Sequence, residues 1–191
     1  MQHFYESISG CFWFQSAYDR TLSELPIDRP VILVEVGSCL GRSAAYLGVE
    51  LKNRFPLAEL HCVDDCSWAP VPVGDHEAML RSNLARLSNV HVHAEPGSVA
   101  VQRFRDDSLD FVWIDGGHEF RTVKRDIADW WPKVKPGGVL GGDDLQIAGV
   151  CDAVMESGRC ERGAGHRNDA EYTGPWEWWW YPGTPSACPS W

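Results

Sequence analysis

The sequence contains no block of lysines or arginines, no long apolar run and no two closely spaced pairs of cysteines. Its 17 basic and 27 acidic residues give a formal net charge of −10. A protein that binds a phosphate backbone needs a basic stripe, so we do not expect nucleic acid as a partner. The first residues lack a basic leader with an apolar core, and no later segment is suited to crossing a bilayer. We therefore expect a cytoplasmic protein with no membrane partner.

Cysteine spacing argues against one further kind of site. Among the seven cysteines only Cys62 and Cys66 are closely spaced, and no second pair completes the pattern that is typical of structural zinc. We interpret them as reduced thiols that are mostly buried.

Chain length and composition indicate a single α/β domain. The 191 residues, of which 44% are hydrophobic and 23% are charged, suffice for one full core and are too few for two ordinary domains. We expect a helical or lid-like segment over residues 1–30, the main domain over residues 31–182 and a loosely held tail over residues 183–191.

Strand-like and helix-like segments alternate along the main domain. The run VILVEV at Val31–Val36 is apolar and mostly β-branched, which is typical of a parallel strand covered on both faces. The alternation predicts a doubly wound, mostly parallel, Rossmann-like sheet. The other predicted strands are Leu60–Val63, Asn89–His93, Leu109–Ile114 and Val139–Gly142, and the predicted helices are Ser43–Phe55, Asp75–Leu87, Ser98–Phe104 and Glu119–Trp131.

Aromatic residues are concentrated near both ends of the chain. In PWEWWWY, Trp176, Trp178 and Trp180 alternate with other residues, a strand pattern that predicts a C-terminal antiparallel hairpin covering a sheet edge. Alternatively, these rings form an aromatic wall for a substrate or the contact surface of a homo-oligomer. The aromatic residues within 12–18 leave a similar choice between a helix packed on the sheet and a lid.

Acidic residues and one histidine follow the last two predicted parallel strands. Asp115 and His118 follow the fourth strand, and Asp143 and Asp144 follow the fifth. Carboxyl ends of neighbouring parallel strands meet at one sheet edge, so we expect the three carboxylates to converge there. Their mutual repulsion would raise their pKa values or be relieved by a divalent cation, for which oxygen ligands favour magnesium over calcium or manganese. Alternatively, the aspartates cap a helix and the histidine is only solvated.

The loop after the first predicted strand, VEVGSCLGRS at residues 34–43, is rich in small residues. Gly37 permits a sharp turn in which backbone amides approach a ligand closely. The helix that starts beyond Gly41 favours a carboxylate or a phosphate at its amino end. The spacing G-x-x-x-G differs from the dinucleotide fingerprint G-x-G-x-x-G.

Four segments in a fixed order, VEVGSCLGRSAAYL, CVDDCSW, LDFVWIDGGHEFRTVKRDI and KVKPGGVLGGDDL, carry a family resemblance. The chain resembles the class I S-adenosylmethionine-dependent methyltransferases, and within them the small metal-dependent O-methyltransferases that include macrolide-sugar O-methyltransferases. The resemblance extends from Val31 to Val154, and it rests on the order of the motifs more than on any one of them.

The resemblance implies a set of site residues. Asp115, Asp143 and Asp144 match the family's metal positions, with Mg²⁺ as the expected ion, and His118 matches its proposed base, assisted in catalysis by Asp115. A carboxylate accepts two hydrogen bonds at once, which suits Asp64 or its neighbour Asp65 for the ribose. The residues expected to hold S-adenosylmethionine are Glu35, Gly37, Ser38, Gly41 and Ser43 around its methionine part, Asp64 on its ribose, Gly97 and Ser98 near its adenine, and Asp115.

These expectations together predict methyl transfer to a hydroxyl of a small molecule such as a sugar or a natural product. A divalent cation would lower the pKa of the acceptor hydroxyl, and His118 would take its proton. Two alternatives remain open. One is a nicotinamide-dependent oxidoreductase, which the glycine spacing fits poorly. The other is a non-catalytic S-adenosylmethionine-binding protein, since residues 71–74 shorten a region where acceptors usually dock.

His91 and His93 alternate on the third predicted strand. Two imidazoles at this spacing are able to chelate a metal, but no acidic or cysteine partner follows at a convincing distance along the chain. We interpret both histidines as structural.

Overall fold

The computed structural model of the chain describes residues 1–68, 75–157 and 177–180, with only the backbone of Trp180. Six strands form one sheet in the order β3-β2-β1-β4-β5-β6. The first five run parallel and β6 is antiparallel to β5. The strands are β1 Val31–Val36, β2 Ala58–Val63, β3 Val90–His93, β4 Leu109–Ile114, β5 Val134–Gly142 and β6 Trp178–Trp180.

Helices connect the parallel strands and cover both faces of the sheet. They are α1 Gln15–Glu24, α2 Arg42–Arg54, α3 His76–Leu84, α4 Gly97–Ala100, α5 Phe120–Trp130 and α6 Ala148–Glu156, with short 3₁₀ turns at Tyr5–Ser7, Val101–Arg103 and Trp131–Lys133. The expected fold class, a doubly wound α/β domain with a closing antiparallel pair, is confirmed. Strand order reverses between β1 and β4, and ligands of such sheets bind at the carboxyl ends of the strands beside this switch point.

Two apolar clusters fill the space on either side of the sheet. Alternate residues of β1 face opposite sides, and Leu33 packs with the helices α1 to α3 while Val34 packs with α4 to α6. Five of the six β1 residues are buried, as expected of a strand covered twice. The segment before the sheet contributes Phe14 and Tyr18, whose rings contact Trp113 of β4.

The structure differs from the predicted elements at several boundaries. β5 begins at Val134 instead of Val139, because Val134 already pairs with Leu109 of β4. The register then shifts, and pairing continues from Val139. The helix α6 was not expected from the sequence. Asp75 precedes α3 as expected, but its side chain makes no capping hydrogen bond.

The structure also tests what was expected of the tryptophans and cysteines. Trp178 is buried on β6, whereas Trp176 and residues 183–191 lie outside the described residues. Of the five described cysteines only Cys62 is fully buried, so the expectation of mostly buried thiols is wrong for this part of the chain. None of the helices in the described ranges has the length and apolar character needed to cross a membrane.

Candidate active site

The exits of β1 and β4 touch through their backbones. Gly37 has φ +95°, and a Cβ there would lie 2.1 Å from the carbonyl oxygen of Asp115. The amide of Asp115 donates a hydrogen bond of 2.7 Å to the carbonyl of Val36. Only glycine fits at position 37, and its presence brings the predicted cofactor loop against the predicted acidic cluster.

The second glycine of the loop starts α2. Gly41 has φ +86° and is the N-cap residue of this helix. A Cβ at this position would lie 3.0 Å from side-chain atoms of Leu80 and Leu84 of α3. Ser38 and Ser43, on either side of Gly41, are buried. The amino end of α2 is therefore built by backbone and small side chains, as a site for a bulky cofactor requires.

Glu35 lies buried at the end of β1. Its Oε1 accepts a hydrogen bond of 2.6 Å from the hydroxyl of Tyr18. Its Oε2 has no hydrogen-bond partner among the described residues. Burial raises the pKa of this carboxyl, while the Tyr18 hydrogen bond opposes that rise. A buried oxygen without a partner is open to a hydrogen-bond donor from a bound ligand.

Asp64 follows β2 and is held by backbone amides. Its Oδ2 accepts from the amide of Cys39, at 2.7 Å, and its Oδ1 accepts from the amide of Cys66, at 2.8 Å. Asp65 instead is exposed and bonds the amide of Ser67. Because Cys39 belongs to the glycine loop, the structure places Asp64 rather than Asp65 beside that loop. Burial raises the pKa of the Asp64 carboxyl, and the two amides oppose the shift.

Gly97 and Ser98 begin α4 and are half-buried. A Cβ at Gly97 would lie 3.3 Å from the Cγ1 of Val36. This position is therefore next to the end of β1, as the predicted contact with the cofactor's adenine requires.

Asp115, His118 and Asp144 form one compact group. A ligand atom of each lies within 4.8 Å of the others. His118 Nε2 is 2.7 Å from Asp144 Oδ2, and Gln146 Nε2 donates to Asp144 Oδ1 at 2.9 Å. Asp144 has φ +64°, a left-handed conformation that is uncommon outside glycine and is often found at functional sites.

Asp143 lies beside this group, and among the neighbouring charges that raise the pKa of Asp115 its charge has the largest effect. Its Oδ2 accepts a hydrogen bond of 2.6 Å from the indole N–H of Trp13. Its Oδ1 is buried without a partner, and its main-chain oxygen accepts from Trp178 Nε1 at 3.1 Å.

The carboxylates that follow β4 and β5 repel one another, which favours the binding of a cation there. Burial, followed by the charges of Asp143, Asp144 and Glu35, raises the pKa of Asp115 well above its ordinary value. Burial also raises the pKa of Asp143 to about 7, with the charges of Asp144 and Glu177 adding to the shift. Carboxylates in this state are stabilised by a proton or by a positive ion.

Comparison with known proteins connects this geometry to a family. The family described as Methyltransferase domain matches residues 34–145, which include every predicted site residue. The matched range exceeds half of the chain. The chain belongs to this methyltransferase family. Its fold and the glycine loop at the switch point are those of a class I S-adenosylmethionine-dependent methyltransferase.

Solved structures of other methyltransferases share the fold. The O-methyltransferase NovP is 17% identical, with a TM-score of 0.62 over 88% of this chain and 78% of that chain. CalS11, a TDP-rhamnose 3′-O-methyltransferase, is 12% identical, with a TM-score of 0.60 over 90% and 78%. An rRNA methylase from Streptococcus thermophilus is 13% identical, with a TM-score of 0.60 over 90% and 95%. A comparison with curated proteins finds no match.

Three side chains that contact the candidate site were not predicted as site residues from the sequence. Trp13, Tyr18 and Gln146 each contact a predicted site carboxylate. Trp13 and Tyr18 come from the segment before the sheet, and nothing in their local pattern shows which strand end they reach. Gln146, two residues after Asp144, is a polar residue directly following a motif, and that position was the only signal for it.

Proposed function

We propose that this methyltransferase transfers the methyl group of S-adenosylmethionine to a hydroxyl oxygen of a small molecule, with a divalent cation assisting. The observation that carries the proposal is the His118–Asp144 contact of 2.7 Å beside Asp115. This group adjoins Gly37, which supports a single site for the methyl donor and a proton acceptor.

His118 is suited to take the acceptor's proton. An alcohol or phenol is a weak nucleophile until its proton leaves, and imidazole is the side chain that accepts protons at neutral pH. With Nε2–H donating to Asp144, the lone pair of Nδ1 is directed to the acceptor. The side chain of His118 is 51% exposed, so an acceptor has access to it. Asp144 is itself fixed by Gln146, which makes it a positioning residue for the imidazole.

Asp115 and Asp144 are the residues that would hold a cation. The raised pKa of Asp115, caused by burial and the neighbouring carboxylates, supports this assignment because an ion relieves both effects. When bound, a divalent cation such as Mg²⁺ supplies positive charge that lowers the pKa of a coordinated hydroxyl. Asp143 is the third candidate ligand, because its Oδ1 is buried without a partner among the described residues and its charge adds to the raised pKa of Asp115.

Trp13 provides a surface for the acceptor. Its ring is 51% exposed, while its N–H is fixed on Asp143. An indole held in this way offers a flat apolar face with little conformational freedom, which fits a sugar or another hydroxylated ring. The names of NovP and CalS11, an O-methyltransferase and a sugar O-methyltransferase, support this acceptor class.

The test is transfer of labelled methyl from S-adenosylmethionine to a panel of hydroxylated sugars and phenols. We expect turnover that stops with chelator and returns with magnesium. His118→Asn should lower kcat by about 10²- to 10⁴-fold and remove the dependence of kcat on base ionisation. The matched control is His3→Asn, since His3 also pairs with a carboxylate, Glu50 at 2.8 Å, far along the chain from the site.

Other outcomes would favour other functions. Binding of S-adenosylmethionine by calorimetry with no turnover on any hydroxyl acceptor would indicate a binding protein. Full turnover in the presence of chelator would exclude the cation from the proposed mechanism and leave His118 as the proposed base. Unchanged turnover in His118→Asn would exclude His118 as the base.

A further inference from the structure

Two polar side chains of the helix α3 hold the backbone of the glycine loop. His76, the first residue of α3, contacts the carbonyl oxygen of Cys39 through its Nε2 at 2.9 Å. A carbonyl oxygen only accepts, so this Nε2 carries a hydrogen and is the donor. Asn83 lies about two turns further along α3, and its Nδ2 donates to the carbonyl of Leu40 at 2.8 Å. Successive carbonyls of the loop therefore have partners on one helix.

The two carbonyls belong to the centre of a tight turn. A backbone hydrogen bond of 2.7 Å closes this turn over residues 38–41, with Cys39 and Leu40 at its centre. Cys39 has φ +48°, a left-handed conformation that residues other than glycine adopt only where their surroundings fix it. Its amide donates to Asp64 Oδ2 at 2.7 Å, and its carbonyl accepts from His76. Both backbone polar groups of Cys39 are thus fixed by side chains.

His76 also lies beside the carboxylate of Asp64. Its Nε2 is 3.6 Å from Asp64 Oδ1, and both side chains are largely buried. Burial raises the pKa of Asp64, and the electrostatic effect of His76 opposes this rise together with the amides of Cys39 and Cys66. These contacts favour the ionised carboxylate, which is the form that accepts hydrogen bonds from two hydroxyls at once.

The contact with Cys39 is the one hydrogen bond that the His76 imidazole makes among the described residues. Its other ring nitrogen, Nδ1, is buried and has no partner in this part of the chain. A buried nitrogen without a partner lowers stability, whereas an apolar ring of similar size carries no such group. Replacement of His76 by phenylalanine therefore removes the hydrogen bond to the loop and keeps most of the packing.

We propose that His76 is a positioning residue for S-adenosylmethionine, which holds the peptide of Cys39 and with it the Asp64 carboxylate in place for the two ribose hydroxyls. The inference rests on the predicted contact of Asp64 with the ribose, and it involves neither the acceptor nor the cation. The sequence did not indicate this role, because His76 and its partner carbonyl lie in segments that only the fold brings together.

The test is calorimetric binding of two ligands to the full chain, S-adenosylhomocysteine and its 2′,3′-dideoxy analogue, without acceptor or metal. His76→Phe should bind S-adenosylhomocysteine about three- to tenfold more weakly than the wild type, as expected for one hydrogen bond. Its loss of affinity for the dideoxy analogue should be smaller, because that ligand has no hydroxyl for Asp64. His76→Gln keeps an N–H donor and should restore most of the affinity.

Asn83→Leu is the matched control, because Asn83 supports the neighbouring carbonyl of the same turn and makes no hydrogen bond to Asp64 among the described residues. It should weaken both ligands by the same factor. Urea unfolding without ligand should give similar midpoints for His76→Phe and the wild type, so that a loss of affinity is not a loss of fold.

Asp64→Asn separates the two parts of the proposal. It should weaken S-adenosylhomocysteine more than the dideoxy analogue, as His76→Phe does. Wild-type affinity of Asp64→Asn for both ligands would overturn the ribose contact and the proposal with it. A loss in Asp64→Asn with none in His76→Phe, or an equal loss for both ligands in His76→Phe, would overturn the positioning role alone. Failure of methyl transfer to hydroxyl acceptors would leave these binding results unchanged.

Discussion

Tyr18 and Glu35 form a buried polar pair beneath the glycine loop. The Tyr18 hydroxyl donates to Glu35 Oε1, and the other oxygen of Glu35 has no protein donor among the described residues. The raised pKa of Glu35 means that ionisation opposes folding. This unfavourable contribution is present above the folded-state pKa and is relieved as the pH falls through that value.

Tyr18→Phe should therefore cost about 1–3 kcal/mol of unfolding free energy at pH 7 and raise the pKa of Glu35 further. The measurement is urea unfolding of the variant and the wild type over a range of pH. The cost should decrease as the pH falls through the raised pKa of Glu35, because a protonated carboxyl needs the donor less. Tyr5→Phe is the control, since no hydrogen bond of the Tyr5 hydroxyl is found among the described residues, and an equal cost in both variants would contradict the assignment.

Gly37 should tolerate no side chain. Gly37→Ala combines a positive φ, worth about 1–2 kcal/mol for alanine, with a clash against the Asp115 carbonyl oxygen. Gly137→Ala is a matched control, because Gly137 has φ +80° with nothing within 4 Å of a Cβ. We expect Gly37→Ala to lose several-fold more affinity for S-adenosylhomocysteine by calorimetry and to be the less stable of the two in urea. Equal losses in both variants would show that conformation alone, and not the close approach, matters here.

The helix α5 carries a buried charge on the face that packs against the sheet. Asp126 is buried, and burial raises its pKa to about 6, with Arg125 opposing the shift at 3.8 Å. A carboxyl whose folded-state pKa is raised favours folding in its protonated form. Stability should thus fall as the pH rises from about 4 to 6 and stay reduced above that.

Asp126→Asn should remove this dependence and stabilise the protein at pH 7 by roughly 2–3 kcal/mol. Urea unfolding between pH 4.5 and pH 8 gives the answer. Asp152→Asn, an exposed residue of α6, should leave the pH dependence as in the wild type. If Asp126→Asn is less stable than the wild type at pH 7, the carboxylate makes an interaction that outweighs its burial.

Sequence patterns predicted the strands better than the elements around them. β1 and β4 occur with the predicted bounds, since each is an apolar run between a turn and a functional motif. α1 has few apolar positions of its own, and its packing depends on aromatic partners in β4. The position of Asp143 could not be predicted either. The sequence shows two adjacent aspartates but not which of them contacts His118. The left-handed backbone conformation of Asp144 determines that.

The segment before the sheet belongs to the core and to the site at once. Phe14 and Tyr18 pack on Trp113, and Trp13 bonds Asp143. Deletion of residues 1–14 should therefore lower the unfolding free energy by several kcal/mol, because the loss of one buried aromatic ring alone costs about 3–5 kcal/mol. It should also reduce methyl transfer.

The control for this deletion is removal of residues 183–191, which the sequence predicts to be loosely held. Thermal unfolding and turnover of both truncated chains are compared with those of the full chain. Similar effects of the two deletions would contradict the predicted division of the chain at residues 30 and 183.

The contact between Gly37 and Asp115 has a consequence for how such an enzyme changes its preferences. With backbone against backbone and no side chain in between, the proposed binding loop for the methyl donor and the strand end that carries the proposed proton acceptor form one rigid unit. Because no side chain lies between Gly37 and Asp115, no substitution is able to adjust the distance between the two strand ends. New acceptors must be accommodated by changes in the residues around that unit, and the exposed ring of Trp13 is one of them.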